Sequence, residues 1–459
     1  MENNNFGMEN GFTPEPQNGE TNSGASFDVE AYNDFFALDD NSSSQEGIVE
    51  EQPLNQMTPN KKNNKQLNKI IIAAVAAVLA VVLFFVIKGC VSSDKEARTL
   101  FKNGYAIVID DDGKYGFINE DGEEVIKCEY AEVDDFADNG LALVCVYDEV
   151  ECEYKLGYIN EDGEYAISPR FYNAYGFEDG DLAAATEGEK YGYINEDGEW
   201  EIEPQFDYAV NFKDGYARVG KESEDGSIKY GYIDEDGEVV IDYQFDNAEA
   251  FCNGLAAVCD DGEWGFIDED GEIVIPIKYS GVEDFTDNGL AAVCDDGEWG
   301  FIDEDGEIVI PIKYSNVKDF TDNGLAAVCD DGEWGYIDES GEIVISFKYD
   351  SVGSFSDDGY ALVREGKKYG LIDEDGEYVI TPKYDNMSMS YNGKVIATNT
   401  GIDEAEFYIV DDDGEEIKLN VDYVVPYEDY IVFRDGEDYG IMDWDGEIVV
   451  NAKYSHIGR

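Results

Sequence analysis

The feature that most constrains this chain is a phrase that keeps returning. Glu263-Trp264-Gly265-Phe266-Ile267-Asp268-Glu269-Asp270-Gly271-Glu272 comes back from Trp299 to Gly306 and again from Trp334 to Gly341. Looser copies carry Tyr or Leu before the glycine, at Tyr115-Gly116, Leu156-Gly157, Tyr191-Gly192, Tyr230-Gly231, Tyr369-Gly370 and Tyr439-Gly440. Gly265, Gly300, Gly335 and Gly370 fall 35 residues apart, and a worn copy at Phe407-Tyr408 fills the gap before Gly440. Residues 255–280 and 290–315 are identical. About ten units follow, and self-similarity at this period marks a repeat architecture in which no unit buries its core alone.

One unit, residues 247–281, reads as a β-meander. Leu255-Ala256-Ala257-Val258-Cys259, Glu263 to Asp268, and Glu272 to Ile275 are strand candidates, separated by Asp261-Gly262 and Asp270-Gly271. Asp-Gly between apolar runs is a strong hairpin signal, because glycine accepts positive φ without a Cβ clash. Pro276 is expected to end the third strand by withholding a donor. The linker through Tyr279, Val282 and Phe285 adds at most a short fourth strand. Both faces of these strands are apolar, so both must be covered, and the neighbouring units are the natural covers. Gly265 is expected to leave a gap beside Trp264 for a neighbouring side chain. The fold class is all-β, with tandem antiparallel meanders of about 35 residues. An open or spiral array fits the short repeat and the high unit number, since propellers usually have about four to eight larger blades; a closed propeller is the alternative.

Ahead of the repeats lies a different chain. Residues 1–60 contain no Lys or Arg and too little apolar surface to offset the entropy of ordering, which predicts a disordered acidic tail. Within it Val29, Tyr32 and Phe36 share a helical spacing, and with Phe35 they form a candidate motif for folding onto a partner. A basic flank at 61–69 leads into 18 uncharged apolar residues, 70–87, enough to span a bilayer as one helix. Four lysines precede the span; Lys88, Lys95 and Arg98 follow it. The bias predicts a single-pass protein of the cell membrane, N-terminus in the cytoplasm and repeats outside. Residues 88–100 form a stem, and 101–459 the repeat domain.

Gly-Leu-Ala-Ala-Val, Trp-Gly-Phe-Ile-Asp, Gly-Glu-Ile-Val-Ile-Pro and Lys-Tyr, in that order, resemble the WG (KWG) repeat family of bacterial proteins over roughly residues 101–459. The match is strongest over 255–350. Residues 386–430 depart most and are expected to form a distorted unit or an insertion. The resemblance implies a β-repeat region of surface or envelope proteins. It brings no catalytic residues with it.

The formal net charge is −76; residues 91–459 alone hold 94 acids against 25 bases. That sign excludes nucleic acid and anionic lipid as partners of the repeats. It serves the solubility of a long β array, or the binding of cations and basic partners. The Asp-Glu-Asp-Gly-Glu turns fail the EF-hand test, because Phe266 would occupy the first ligand position; weak divalent-cation binding is what remains. No metal site or cofactor is expected.

Trp264, Trp299 and Trp334 keep one repeat position, as core residues do. Tyr279, Tyr314, Tyr349 and Tyr384, each after a lysine near a strand end, are expected to be half-exposed and are the weak candidates for ligand contact. Cys145, Cys259, Cys294 and Cys329 keep another position and read as small buried hydrophobes. The one histidine, His456, sits near the end of the sequence, where a frayed terminus would not hold it in catalytic geometry. The chain is expected to be no enzyme but a membrane-anchored scaffold for protein or wall-polymer ligands. The alternatives are transmembrane signalling through residues 27–38, and a glycan-active enzyme using a carboxylate pair.

Overall fold

The computed structural model describes residues 99–458, except 151, 178–179, 225, 389–390 and 402–404. The tail, the basic flank, the apolar run 70–87, nearly all of the stem, and Val29, Tyr32, Phe35 and Phe36 lie outside the described residues. Among the described residues no helix is long and apolar enough to cross a membrane.

The repeats fold into ten four-stranded antiparallel sheets, numbered here as blades 1 to 10 in chain order. Blade 5 shows the plan, with strands Asn247–Cys252, Leu255–Asp260, Glu263–Asp268 and Ile273–Tyr279, each paired with the next. The three expected strands are its second, third and fourth. The linker after Tyr279 does form a short strand, Gly281–Val282, which begins the sheet of blade 6. The second and third strands meet at Asp261 (φ 53°) and Gly262 (φ 83°). Two successive positive φ values make the turn whose twist suits a two-residue hairpin.

Each blade is apolar on both faces, and the faces go to different neighbours. From the second strand of blade 6, Ala291 and Val293 pack with Ala257, Phe266, Ile275 and Tyr279 of blade 5. Leu290 and Ala292 of the same strand pack with Phe320, Ala326 and Val328 of blade 7. The period of two along a strand therefore becomes alternation between two interfaces. An aromatic pair recurs at these seams: Phe266–Phe285 and Phe301–Phe320 have ring centroids 4.9 Å apart, and Tyr336–Phe355 4.7 Å. Where the first ring is tyrosine, its hydroxyl also donates to a carbonyl of the next blade, as Tyr336 does to Gly353 (2.7 Å) and Tyr232 to Glu249 (2.6 Å).

Of the open array and the closed propeller, the closed form is found. His456–Ile457 pairs with Tyr105–Ile109 and completes blade 1 from the far end of the domain. Ile457, Val432, Val450 and Tyr454 share a core with Leu100, Phe101, Ala106 and Val108. Closure covers the two apolar end faces that an open array leaves wet.

Two local expectations change. Pro276 does not end its strand; Ile273–Tyr279 runs through it. The pairing jumps from Phe266↔Ile275 to Trp264↔Tyr279, so three residues of the fourth strand, Pro276 to Lys278, bulge against one of the third, Gly265. The bulge explains Gly265, which makes room for backbone and not for a neighbouring side chain. A Cβ there would lie 2.5 Å from the Ile275 carbonyl oxygen and 2.6 Å from the Ile277 nitrogen. Blade 9, expected to be distorted or an insertion, is a full blade: Asn386–Met387, Val395–Thr400, Ala405–Val410 and Glu416–Leu419. It has Tyr408 where the others have glycine, and its fourth strand pairs in continuous register without a bulge.

Candidate functional site

The two rims, the inner side and the outer edge of the ring present different chemistry. On one rim lie the turns between third and fourth strands. Their leading Asp or Asn is committed to the turn: Asp268 accepts from the Glu272 amide and Asp303 from the Glu307 amide, both at 2.8 Å, and Asn160 from the Glu164 amide at 2.9 Å. The next carboxylate reaches sideways, as Glu374 does in accepting from Asn323 of the preceding blade (3.1 Å). Among the described residues no group of three or more His, Cys, Asp or Glu could hold a metal ion.

The opposite rim carries a cap that the sequence reading missed. Asp246, just after the fourth strand of blade 4, accepts from the Asp261 amide in the blade 5 hairpin (2.9 Å). Asp207, Asp385 and Asp422 repeat the bond to Glu222, Thr400 and Gly436. For Asp207, Asp246 and Asp385 the signal was the aspartate one residue after the terminal aromatic of the fourth strand; Asp422 instead stands three residues after Leu419. Lys190 and Lys368 add ion pairs to Asp207 and Asp385. The Glu222 amide bond and Lys190 hold Asp207 below the usual carboxylate range.

First strands lie inward. Contacts pass here from blade to blade: Asn211, just after the first strand of blade 4, donates to the Gly176 carbonyl of blade 3 at 2.7 Å, and Arg218 in the second strand of blade 4 pairs with Glu249 in the first strand of blade 5 at 3.1 Å. Glu249 is raised, chiefly by burial and against the pull of Arg218. Glu283 reaches solvent, yet the surrounding protein, and after it the carboxylates of Asp319 and Asp284, raise its pKa to about 7.

Fourth strands form the outer edge, hydrogen-bonded on one side only. The expectation of half-exposed tyrosines here is corrected: Tyr279, Tyr314, Tyr349 and Tyr384 are all at or below 2 % exposure. The bulge turns each ring into the seam with the next blade, and the preceding lysine folds over it. The ammonium groups of Lys278, Lys313 and Lys348 stand 4.6 Å from the ring centroids, and that of Lys383 4.8 Å. These tyrosines are packing residues. Trp264, Trp299 and Trp334 are partly buried against the same seams. The exposed apolar residues of the fourth strand are instead at its start: Ile273, Ile308 and Ile343 are 56, 55 and 56 % exposed, each followed by an exposed valine. Val239–Val240 and Ile448–Val449 repeat the pair in blades 4 and 10.

The thiols behave as expected of buried hydrophobes. Cys145, Cys259, Cys294 and Cys329 are buried and free. Burial, with Glu132 nearby, pushes Cys145 up to about 11, away from the reactive thiolate. His456 is not frayed. It sits in the closing strand, opposite Ile109, with its ring 5.1 Å from that of Tyr439.

Burial lowers the His456 pKa from its ordinary 6.5, so the folded ring prefers the neutral imidazole. Below that pH the unfolded chain binds the extra proton more readily, and stability falls as pH drops. The melting temperature of the wild type minus that of His456→Leu is expected to shrink between pH 7 and pH 5. Contributions common to both proteins cancel in that difference, including the opposite trend from Glu283. A difference that stays constant over this range contradicts the assignment.

The profile described as "WG containing repeat" matches residues 115–149, 157–191, 191–223, 230–264, 264–299, 299–334, 334–369 and 369–401, more than half of the chain. No curated protein matches. Among solved structures, one titled as a crystal structure of the eukaryotic initiation factor aligns at 15 % identity and TM-score 0.43, covering 66 % of this chain and 95 % of that one. Hsv2 of Kluyvelomyces marxianus aligns at 11 % and 0.29, covering 53 % and 91 %. Hsv2p of Kluyveromyces lactis aligns at 11 % and 0.30, covering 61 % and 96 %. These scores are too low to transfer a fold assignment or an activity.

Proposed function

The chain belongs to the WG-containing repeat family, and from that premise we propose that it is a non-enzymatic scaffold, anchored by residues 70–87, whose ring binds protein or wall-polymer ligands outside the membrane. One observation carries the binding role: an exposed apolar pair, at one register position of the fourth strand, returns in blades 4, 5, 6, 7 and 10 of a closed ring. Many weak equivalent contacts on one rigid body raise avidity through effective concentration. The anchor and its orientation rest on the uncharged span and its flanking lysines.

Protease shaving of intact cells, with tags at both termini, tests the placement. Loss of the repeats with survival of the 1–60 tail is the expected result. Loss of the tail with survival of the repeats puts the ring in the cytoplasm and removes the surface-binding reading.

A further inference from the structure

The outer starts of the fourth strands in blades 5, 6 and 7 form a strip that the ring itself does not use. Ile273-Val274, Ile308-Val309 and Ile343-Val344 are exposed, although the residue after each pair, Ile275, Ile310 or Ile345, is buried in a seam. Side chains this apolar, repeated on three consecutive blades at a free strand edge, form a surface that natural β proteins normally blunt. Blunting does occur further along, where the bulge, Pro276, Pro311 and the lysines stand. The first residues of each strand escape it. Beside every pair lies an exposed carboxylate: Glu272, Glu307 and Glu342. The nearest cations on the same strands, Lys278, Lys313 and Lys348, are folded over their own tyrosines.

Charge decides between occupants. A second copy brings a domain of 94 acids and 25 bases against its like. The chain's own residues 1–60 contain no Lys or Arg and carry 12 acids. Both are repelled by a strip flanked by glutamates. An anionic lipid surface fails on the same sign. A cationic polypeptide is attracted, and only one with apolar side chains can also cover the isoleucines.

We propose that this strip docks an extended polypeptide segment in which apolar residues alternate with lysine or arginine. The apolar side chains lie on the Ile-Val pairs. The cations meet Glu272, Glu307 and Glu342. This assignment deepens the binding role proposed above and names its partner chemistry.

Two labelled 12-residue peptides, one alternating Leu and Lys and one alternating Ser and Lys, test it by fluorescence anisotropy on the full chain in mild detergent. Their charge and length are equal, so only apolar contact separates them. The Leu-Lys peptide is expected to bind at least about tenfold more tightly. The triple variant Ile273→Ser, Ile308→Ser, Ile343→Ser should erase that advantage and leave the Ser-Lys affinity unchanged. A second triple variant, Glu272→Gln, Glu307→Gln, Glu342→Gln, leaves the isoleucines in place and should weaken both peptides, keeping the proposal falsifiable if the first misfolds. Equal affinity of the two peptides for the wild type, no binding of either, or an advantage that survives the isoleucine substitutions overturns the proposal. Each of those results leaves the membrane topology to stand or fall by the shaving experiment.

Discussion

Gly300→Ala is expected to destabilise the ring by about 3 kcal/mol or more, while Gly281→Ala in the same blade has little effect. A Cβ on Gly300 would stand 2.6 Å from the Ile310 carbonyl oxygen and from the Ile312 nitrogen, and 2.7 Å from the Ile312 Cα. All three are backbone atoms, so no rotamer change relieves the clash. The fourth strand must give up its bulge instead. That would shift Tyr314, now 1 % exposed, out of the seam it shares with blade 7. At Gly281 the nearest atoms to an added Cβ are 3.6 Å away, an ordinary contact. Blade 9 shows the relation from the other side: with Tyr408 in the glycine position, it has no bulge. Chemical denaturation of the two variants beside the wild type measures the effect. Equal losses from Gly300→Ala and Gly281→Ala would mean that the glycine of the Trp-Gly pair is not there for the fourth strand.

The same glycine shows where sequence reasoning stops. The period, the hairpin turns and the need to cover both faces of every sheet were legible, because they depend on neighbours in the chain. Asp261-Gly262 specifies its turn locally, and Ile267 beside Phe266 declares two buried faces. The purpose of Gly265 was not legible, because it depends on how closely another strand approaches. Tyr279 looked like an exposed strand end; the bulge and the Lys278 stem put it inside, and neither follows from alternation along the strand. The Asp246 cap joins a residue to an amide 15 positions on, in the next blade's hairpin. His456 looked frayed because its partner, Ile109, lies at the far end of the domain. The exposed Ile273-Val274 pair was read as core strand, because nothing in the sequence tells an outer edge from an inner one.

Removing Ser455–Arg459 is expected to strip blade 1 of its closing strand, at a cost on the order of 5 kcal/mol. The segment is short but densely bonded. The Ser455 amide donates to the Ile109 carbonyl (3.0 Å), its hydroxyl reaches the carbonyls of Ile109 and Asp110 (2.9 and 2.6 Å), and the Gly458 amide donates to Ile107 (2.9 Å). Ile457 is 1 % exposed within the core shared by blades 1 and 10. A second latch would remain, because Asp429 accepts from the amides of Leu100 (2.7 Å) and Phe101 (3.1 Å), and Phe101 packs edge-on against Tyr430 at 5.3 Å. The truncated chain should therefore melt earlier but keep its β structure, since eight of the ten blades lose no partner. It would also expose the edge of Tyr105–Ile109 to other chains. Charge repulsion between copies opposes that pairing at low salt, and screening relieves it. Size-exclusion chromatography in mild detergent should show the truncated chain, but not the intact one, shifting to larger species as salt rises. A truncated chain that melts with the wild type would show that the blade seams hold the ring without its closing strand.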